Sequence, residues 1–247
     1  MISLAGKSAL ITGGSRGIGL AIATRLANEG ASCLLVARNA DTLKTACSQL
    51  PHPTQKAAAA ASPSRPHSFF AGEAGDPHTW DAIGRQLAAD GHEVDVLVNA
   101  AGVSQNSLLV RTDPADIAAI LDTKPARRRA GVQAHRQADD AQGRRRPPGL
   151  QHRQRLERLT SALSQELGQF QIRVNALVPG YIQTQMIENL NEGKLSSQIP
   201  LGRVGRAEEV ADAAYFLATN SYANNCVLNI DGGLSAANQG FVSRGSS

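Results

Sequence analysis

The sequence predicts an α/β fold, in which helices cover both faces of a doubly wound parallel sheet. Short apolar runs alternate along the chain with longer segments of helical periodicity, the order that builds parallel sheets. A glycine-rich turn joins the first apolar run to the first helical segment. The chain has 247 residues, of which 42% are hydrophobic, and this is enough for one large core. We therefore expect residues 1–247 to form a single domain.

The glycine-rich turn indicates a nucleotide site. The apolar run Ala9–Ile11 leads into residues 12–19, Thr-Gly-Gly-Ser-Arg-Gly-Ile-Gly, after which apolar periodicity predicts a helix. A strand, turn and helix in this order direct backbone N–H groups and the positive end of the helix at a phosphate. Gly13 can adopt backbone angles closed to other residues, and Gly17 and Gly19 let a cofactor and the strand come close. An ordinary tight turn is the alternative, because a glycine pattern alone is weak evidence.

The end of the second predicted strand bears on which nucleotide binds. Arg38 follows the apolar run 32–37, at the point where NAD-binding layouts place an acidic residue on the ribose 2′-hydroxyl. Arg16 lies in the first turn. Guanidinium groups form paired hydrogen bonds with phosphate oxygens, so two arginines suit a 2′-phosphate better than a hydroxyl. This favours NADP(H), and the alternative is that both arginines are solvated surface residues.

The other patterns predict the remaining elements of the sheet and its helices. Apolar runs predict further strands, at 69–70, 94–98, 172–178 and 227–230. Helical patterns predict further helices, at 41–50 and 76–90. Residues 51–68 are rich in alanine, proline, serine and histidine, and we expect a surface insertion without chemistry of its own.

Four motifs together resemble one known family. They are the first turn, with its Thr-Gly-x-x-x-Gly-x-Gly spacing, Asn99-Ala100-Ala101-Gly102 after the fourth strand, Pro-Gly-Tyr-Ile-Gln-Thr at 179–184, and Asp-Gly-Gly at 231–233. In this spacing and order they resemble the short-chain dehydrogenase/reductase family, with its Rossmann-like fold. The resemblance is greatest to the branch of 3-oxoacyl-acyl-carrier-protein reductases and carbonyl reductases.

The resemblance implies a site for NADP(H) and an activity. The residues that it would place around the cofactor are Gly13, Ser15, Arg16, Gly17, Ile18, Gly19, Arg38, Glu73, Asn99, Ala100, Gly102, Pro179, Gly180, Ile182 and Thr184. Glu73 stands where the family has an aspartate near the adenine, while the Ile182 backbone and the Thr184 hydroxyl would contact the carboxamide. The implied reaction is NADPH-dependent reduction of a 3-oxoacyl thioester on acyl carrier protein, or of a related carbonyl. The implied assembly is a homo-oligomer.

The catalytic residues of that family cannot be placed in this sequence. The family uses a tyrosine four residues before a lysine, plus a serine: the phenol donates a proton, the lysine lowers its pKa, and the serine holds the carbonyl oxygen. None of Tyr181, Tyr215 and Tyr222 has a lysine four residues later. We therefore assign no catalytic residue and expect little or no turnover. A non-catalytic NADP-binding or partner-stabilising subunit is the alternative function.

Residues 124–158 form an anomalous arginine-rich segment, with eleven lysine and arginine residues against three acidic ones. Arg127–Arg129 and Arg144–Arg146 show neither helical nor strand periodicity, and the segment lacks the apolar run of a central strand. We expect this region to be disordered or misformed. A shifted reading frame is one explanation: codons that can encode Gly149–Leu156 give Gly-Tyr-Asn-Ile-Val-Asn-Val in another phase. A solvated loop, or a chain that folds poorly, is the alternative.

Composition argues against several other classes of protein. No apolar stretch is long enough for a membrane span, and the N-terminus has no signal-peptide pattern. Cys33, Cys47 and Cys226 lack metal-ligand spacing, so we expect no metal and a reducing compartment. That favours the cytoplasm, with the mitochondrion as the alternative. The net charge of +4 comes from one segment that lacks interleaved aromatic residues, which argues against a nucleic-acid partner.

Overall fold

A computed structural model describes residues 2–52, 65–101, 129–134, 148–185, 187 and 191–237. Within these residues, seven strands form one sheet in the order β3-β2-β1-β4-β5-β6-β7, and every neighbouring pair is parallel. The strands are β1 (Ser8–Thr12), β2 (Ser32–Ala37), β3 (Ser68–Ala71), β4 (Val96–Asn99), β5 (Arg129–Ala134), β6 (Ile172–Pro179) and β7 (Val227–Ile230). The predicted fold class is confirmed.

Seven helices belong to the same described residues. They are α1 (Gly17–Asn28), α2 (Ala40–Gln49), α3 (Pro77–Ala89), α4 (Pro148–Gly168), α5 (Glu192–Ser196), α6 (Ala207–Thr219) and α7 (Leu234–Ala237). Local chemistry explains their starts: the side chains of Asn39 and Asp76 cap α2 and α3, and Pro77 occupies the first position of α3. None of the helices in the described ranges is long and apolar enough to cross a membrane.

The core lies on both faces of the sheet, as a doubly wound fold requires. Helices α1, α2 and α6 pack on one face, and α3 and α4 pack on the other. Successive residues of β1 show the alternation, because Ile11 packs with the first group of helices and Leu10 with the second. Both side chains are fully buried, which stabilises the fold by about 1.5–3 kcal/mol each.

The strand order reverses between β1 and β4, which creates a crevice at the carboxyl edge of the sheet. The chain first builds β1, β2 and β3 outward, and then crosses over to place β4 on the other side of β1. Thr12 and Asn99 end these two strands and pair directly in the register. Ligands of open α/β sheets bind outside the carboxyl ends at such a switch point. We therefore expect a ligand site between the carboxyl ends of β1 and β4.

The structure differs from the sequence pattern at the centre of the sheet. The pattern of residues 124–158 indicates no central strand, yet β5 pairs with β4 on one side and with β6 on the other. Parallel pairing uses backbone N–H and C=O groups, which every residue of Arg-Ala-Gly-Val-Gln-Ala supplies, so an apolar run is not required. Helix α4 likewise starts at Pro148, a position that suits proline. The rest of the expected disorder, at 124–128 and 135–147, lies outside the described residues.

Candidate cofactor site

The first turn contains glycines where no side chain would fit. Gly13 has a φ of +66°, and a Cβ built on it would lie 2.8 Å from the Ala100 carbonyl oxygen. A Cβ on Gly19 would overlap the carbonyl group of Gly13, in the same turn. The Gly13 N–H donates to the Val36 carbonyl oxygen at 2.8 Å, which fixes the turn to the end of β2. The turn is thus folded tightly against itself, against β2 and against the segment that follows β4.

The N-terminus of α1 opens directly from this turn. The first N–H groups of a helix, here those of Gly17, Ile18 and Gly19, have no carbonyl four residues earlier within the helix. Arg16 precedes them with extended backbone angles, and its side chain does not cap the helix. Ser15 lies beside it in the turn. These donors and the positive end of the helix form an arrangement that accepts a phosphate.

The segment after β4 is fixed to the end of β1. The Thr12 hydroxyl accepts a hydrogen bond from the Ala101 N–H at 3.1 Å, and Thr12 is buried. Asn99 is buried as well, and Ala100 lies against Gly13. The first and second motifs, almost ninety residues apart in the chain, therefore meet at the crevice. Gly102, which is also predicted as a site residue, lies outside the described residues.

The segment after β6 approaches the same place from the other side. Pro179 ends β6, and the Gly180 N–H donates to the Ile230 carbonyl oxygen at 3.0 Å. Ile182 is buried, and the Thr184 hydroxyl donates to the Ile182 carbonyl oxygen at 3.3 Å. A Cβ on Gly17 would lie 3.4 Å from the Thr184 methyl group, so this segment reaches the start of α1.

Two hydrogen bonds attach the 179–184 segment, or the residue that follows it, to neighbouring parts of the chain. Arg16 donates to the Gln185 side-chain oxygen at 3.2 Å, which ties the first turn to the segment. The Gly205 N–H donates to the Tyr181 carbonyl oxygen at 2.8 Å. Glu209 lies beside Gly205. Hydrogen bonds from the Arg203 side chain and the Arg206 N–H lower the pKa of Glu209 to about 2.

Arg38 and Glu73 leave the carboxyl ends of β2 and β3 and form an ion pair. The Arg38 Nε lies 3.8 Å from a Glu73 carboxylate oxygen, and both side chains are substantially exposed. The structure therefore joins two residues to which the sequence assigned separate roles, one at the 2′-phosphate and one near the adenine.

The described residues fit a nucleotide cofactor that carries a pyrophosphate. The crevice combines Cβ-free backbone at the turn with helix N–H donors that suit a pyrophosphate, and Arg38 follows the end of the neighbouring β2. Sequence reasoning did not single out the Thr12 hydroxyl as part of this site. The sequence does place a threonine at the end of the first strand. However, the Ala101 N–H that bonds to it comes close only because β4 lies beside β1. No group of three or more metal-ligating side chains occurs among the residues that the structure describes.

The three tyrosines lie in different parts of the molecule. The Tyr215 hydroxyl donates to a Glu29 carboxylate oxygen at 3.4 Å, and the Arg25 guanidinium lies 4.1 Å from its ring centroid, on the contact between α1 and α6. Burial and the Glu29 carboxylate raise the pKa of Tyr215, opposite to the shift that a proton donor needs. Tyr222 is almost fully exposed between α6 and β7. Tyr181 lies near the crevice and packs with Ile187 and Leu195.

Family models match most of the chain. The model described as "short chain dehydrogenase" matches residues 7–125, and the model described as "Enoyl-(Acyl carrier protein) reductase" matches residues 152–235. The residues between the two matches, 126–151, fall within the anomalous segment 124–158. Each family match thus covers part of the crevice.

Whole-chain relatives agree with these matches. The 3-oxoacyl-[acyl-carrier-protein] reductase FabG of Chlamydia trachomatis is 32% identical, over 94% of this chain and 98% of the relative. The 3-oxoacyl-[acyl-carrier-protein] reductase of Homo sapiens is 32% identical, over 92% and 98%. A solved short-chain dehydrogenase/reductase family protein superposes with a TM-score of 0.73 at 28% identity, over 95% of this chain and 100% of that one. A solved structure titled a putative betaketoacyl-ACP reductase gives a TM-score of 0.71 at 27% identity, over 94% and 99%. The chain belongs to the short-chain dehydrogenase/reductase family of oxidoreductases.

Proposed function

We propose that this chain binds NADP(H) and belongs by descent to the NADPH-dependent reductases of 3-oxoacyl thioesters on acyl carrier protein, or of related carbonyls, with strongly impaired turnover. One observation carries the proposal. The segments after β1, β4 and β6 converge at the switch point of the sheet, with backbone at Gly13 and Gly19 that admits no side chain.

Each part of the crevice has a role in holding the cofactor. The N–H groups at the start of α1 bind the pyrophosphate, and Arg16 and Arg38 bind the 2′-phosphate. Asn99 and Ala100 present backbone along the cofactor, and Glu73 lies beside Arg38. Beyond Pro179 and Gly180, the Ile182 backbone and the Thr184 hydroxyl contact the carboxamide. Together these residues orient the nicotinamide at the carboxyl edge.

The reaction needs a proton as well as a hydride. NADPH would supply a hydride when bound, and the oxygen of the reduced carbonyl would have to take up a proton. The chain has no tyrosine four residues before a lysine to deliver it. A positioned general acid contributes about 10²–10⁴-fold to the rate of such a step, so its loss accounts for the impairment.

The names of the relatives support the proposed substrate class, and the edge of the sheet supports a proposed assembly. The reductases named above, from a bacterium and from human, are named for 3-oxoacyl groups on acyl carrier protein. A homo-oligomer is part of the proposal, since β7 ends the described sheet and offers its outer side to a second copy. The free Cys33, Cys47 and Cys226 suit a reducing compartment such as the cytoplasm, with the mitochondrion as the alternative.

A binding titration tests the cofactor half of the proposal. Nicotinamide fluorescence is followed as NADPH is added to the purified protein, with Arg38→Ala as the variant. We expect saturable binding that this substitution weakens about ten- to a hundred-fold, since a charge-assisted hydrogen bond contributes about 1.5–3 kcal/mol. An unchanged fluorescence signal at millimolar NADPH would remove the proposal.

A non-catalytic NADP-binding or partner-stabilising subunit is the second candidate function. It is favoured by the contrast between an assembled crevice and the missing Tyr-x-x-x-Lys pair. Mixing the chain with an active reductase of the same source distinguishes the two candidates. A stable complex with higher turnover than the active partner alone supports the second, and independent migration of both chains on size exclusion supports the first.

A further inference from the structure

The Arg38–Glu73 ion pair stands where the proposed function puts the 2′-phosphate, the group that distinguishes NADPH from NADH. Ala37 and Ala71 are partners at the ends of β2 and β3, and the Gly72 N–H donates to the Ala37 carbonyl oxygen at 2.9 Å. Arg38 and Glu73 therefore leave two adjacent strands at the same edge. The Nε of Arg38 and a carboxylate oxygen of Glu73 lie 3.8 Å apart.

This pair is open to competition. The Arg38 side chain is 65% exposed and that of Glu73 is 44% exposed, so water screens the pair and burial does not hold it together. A guanidinium has five N–H donors, and its paired geometry matches a phosphate as well as a carboxylate. A phosphate at this edge must therefore displace the carboxylate from Arg38, or bind with the carboxylate close by.

From this geometry we infer that Glu73 is a selectivity residue, which lowers the preference for NADPH over NADH by competing with the 2′-phosphate for Arg38. This inference rests on the proposed function, because it needs a nucleotide at the crevice. The carboxylate partly neutralises the guanidinium and repels the 2′-phosphate. NADH carries a hydroxyl at that position, so it loses little from either effect.

A role for Glu73 at the adenine alone predicts a different pattern. The adenine is common to NADPH and NADH, so a contact with it contributes equally to both nucleotides. Competition for Arg38 acts on NADPH only, and it requires Arg38 to be present. The two roles can therefore be separated by the choice of nucleotide and by a double substitution.

The test measures dissociation constants for NADPH and NADH by calorimetry at low ionic strength. The proteins are the wild type, Glu73→Gln, Arg38→Ala and the double variant. Asp90→Asn is the matched control, because it also removes one exposed carboxylate. Asp90 lies at the C-terminal end of α3, whereas Asp76 caps the start of that helix. Thermal unfolding confirms that each variant is folded, as expected for exposed side chains.

We expect Glu73→Gln to tighten NADPH about two- to five-fold, the range that an exposed ion pair contributes, and to leave NADH within about 1.5-fold. The gain should shrink at high salt, and it should disappear in the Arg38→Ala background. Asp90→Asn should change neither constant.

Three results would overturn the inference while leaving the proposed function intact. They are an equal change for both nucleotides, an unchanged or weaker affinity for NADPH, and a gain of the same size without Arg38. A wild type that binds neither nucleotide would overturn the proposed function and this inference together.

Discussion

Two regions of the molecule differ in how well their sequences match the family. They are the carboxyl edge of the sheet at β1, β4 and β6, and the segment 124–158. At the edge, three motifs match the family, and the structure brings the other two against the first turn, Ala100 at Gly13 and Thr184 at Gly17. In the segment, the two family matches stop at 125 and resume at 152, although β5 still pairs with both neighbours. Backbone pairing can thus continue through a sequence that carries none of the expected chemistry.

Under the proposed function, this difference means that cofactor binding and proton transfer depend on separate parts of the chain. The proposed pyrophosphate site needs only the first turn and the start of α1, which the N-terminal part supplies. By resemblance, the proton donor would come from the region that includes the anomalous segment. A chain can therefore keep the first function while it loses the second.

The largest expected effect concerns the segment itself. If residues 124–158 are translated in a shifted frame, restoring the frame should recover a Tyr-x-x-x-Lys pair and raise turnover by about 10²–10⁴-fold. Sequencing the transcript between the codons for Thr123 and Leu156 checks the premise, and the restored protein is then assayed with an acetoacetyl thioester. An intact frame through these codons would contradict the hypothesis.

The next largest effect concerns the first turn. Gly19→Ala should weaken NADPH binding at least about ten-fold and destabilise the fold by about 1–3 kcal/mol, because the new methyl group overlaps the Gly13 carbonyl. Gly84→Ala is the control, since a Cβ there meets nothing within 4 Å in the middle of α3. It should keep the affinity and stabilise the protein by about 0.5–1 kcal/mol. Equal affinities for the two variants would contradict the described turn.

The smallest effect concerns the contacts that support the 179–184 segment. The lowered pKa of Glu209 means that its carboxylate stabilises the fold at pH values above its unfolded pKa of 4.5, and that this stabilisation is lost as the pH falls towards 2. Glu209→Gln should lower the melting temperature by about 1–3 °C at pH 6, and the difference should vanish near pH 2. A difference that stays constant with pH would rule out this ion pair.

The sequence predicted what depends on local spacing. The β1–turn–α1 unit follows from glycines within eight residues, and the starts of α2 and α3 follow from single capping residues. It could not predict the Arg38–Glu73 pair, because only the register of β2 and β3 brings these residues together.

Two further features depend on the whole sheet. The bond between the Ala101 N–H and Thr12 exists because β4 lies beside β1. Strand β5 escaped prediction because its pairing uses the backbone, whereas the sequence signal for a central strand is apolar side chains. Roles in binding the cofactor, including that of Gly102, remain predictions.

Binding without turnover is the central claim, and a single-turnover experiment tests it most directly. The protein is saturated with NADPH, an acetoacetyl thioester is added, and nicotinamide absorbance and fluorescence are followed together. We predict the fluorescence signal of bound NADPH, together with a nicotinamide absorbance that falls no faster than in a sample without protein. Rapid oxidation of the bound NADPH at the rate of an active family member would contradict the account.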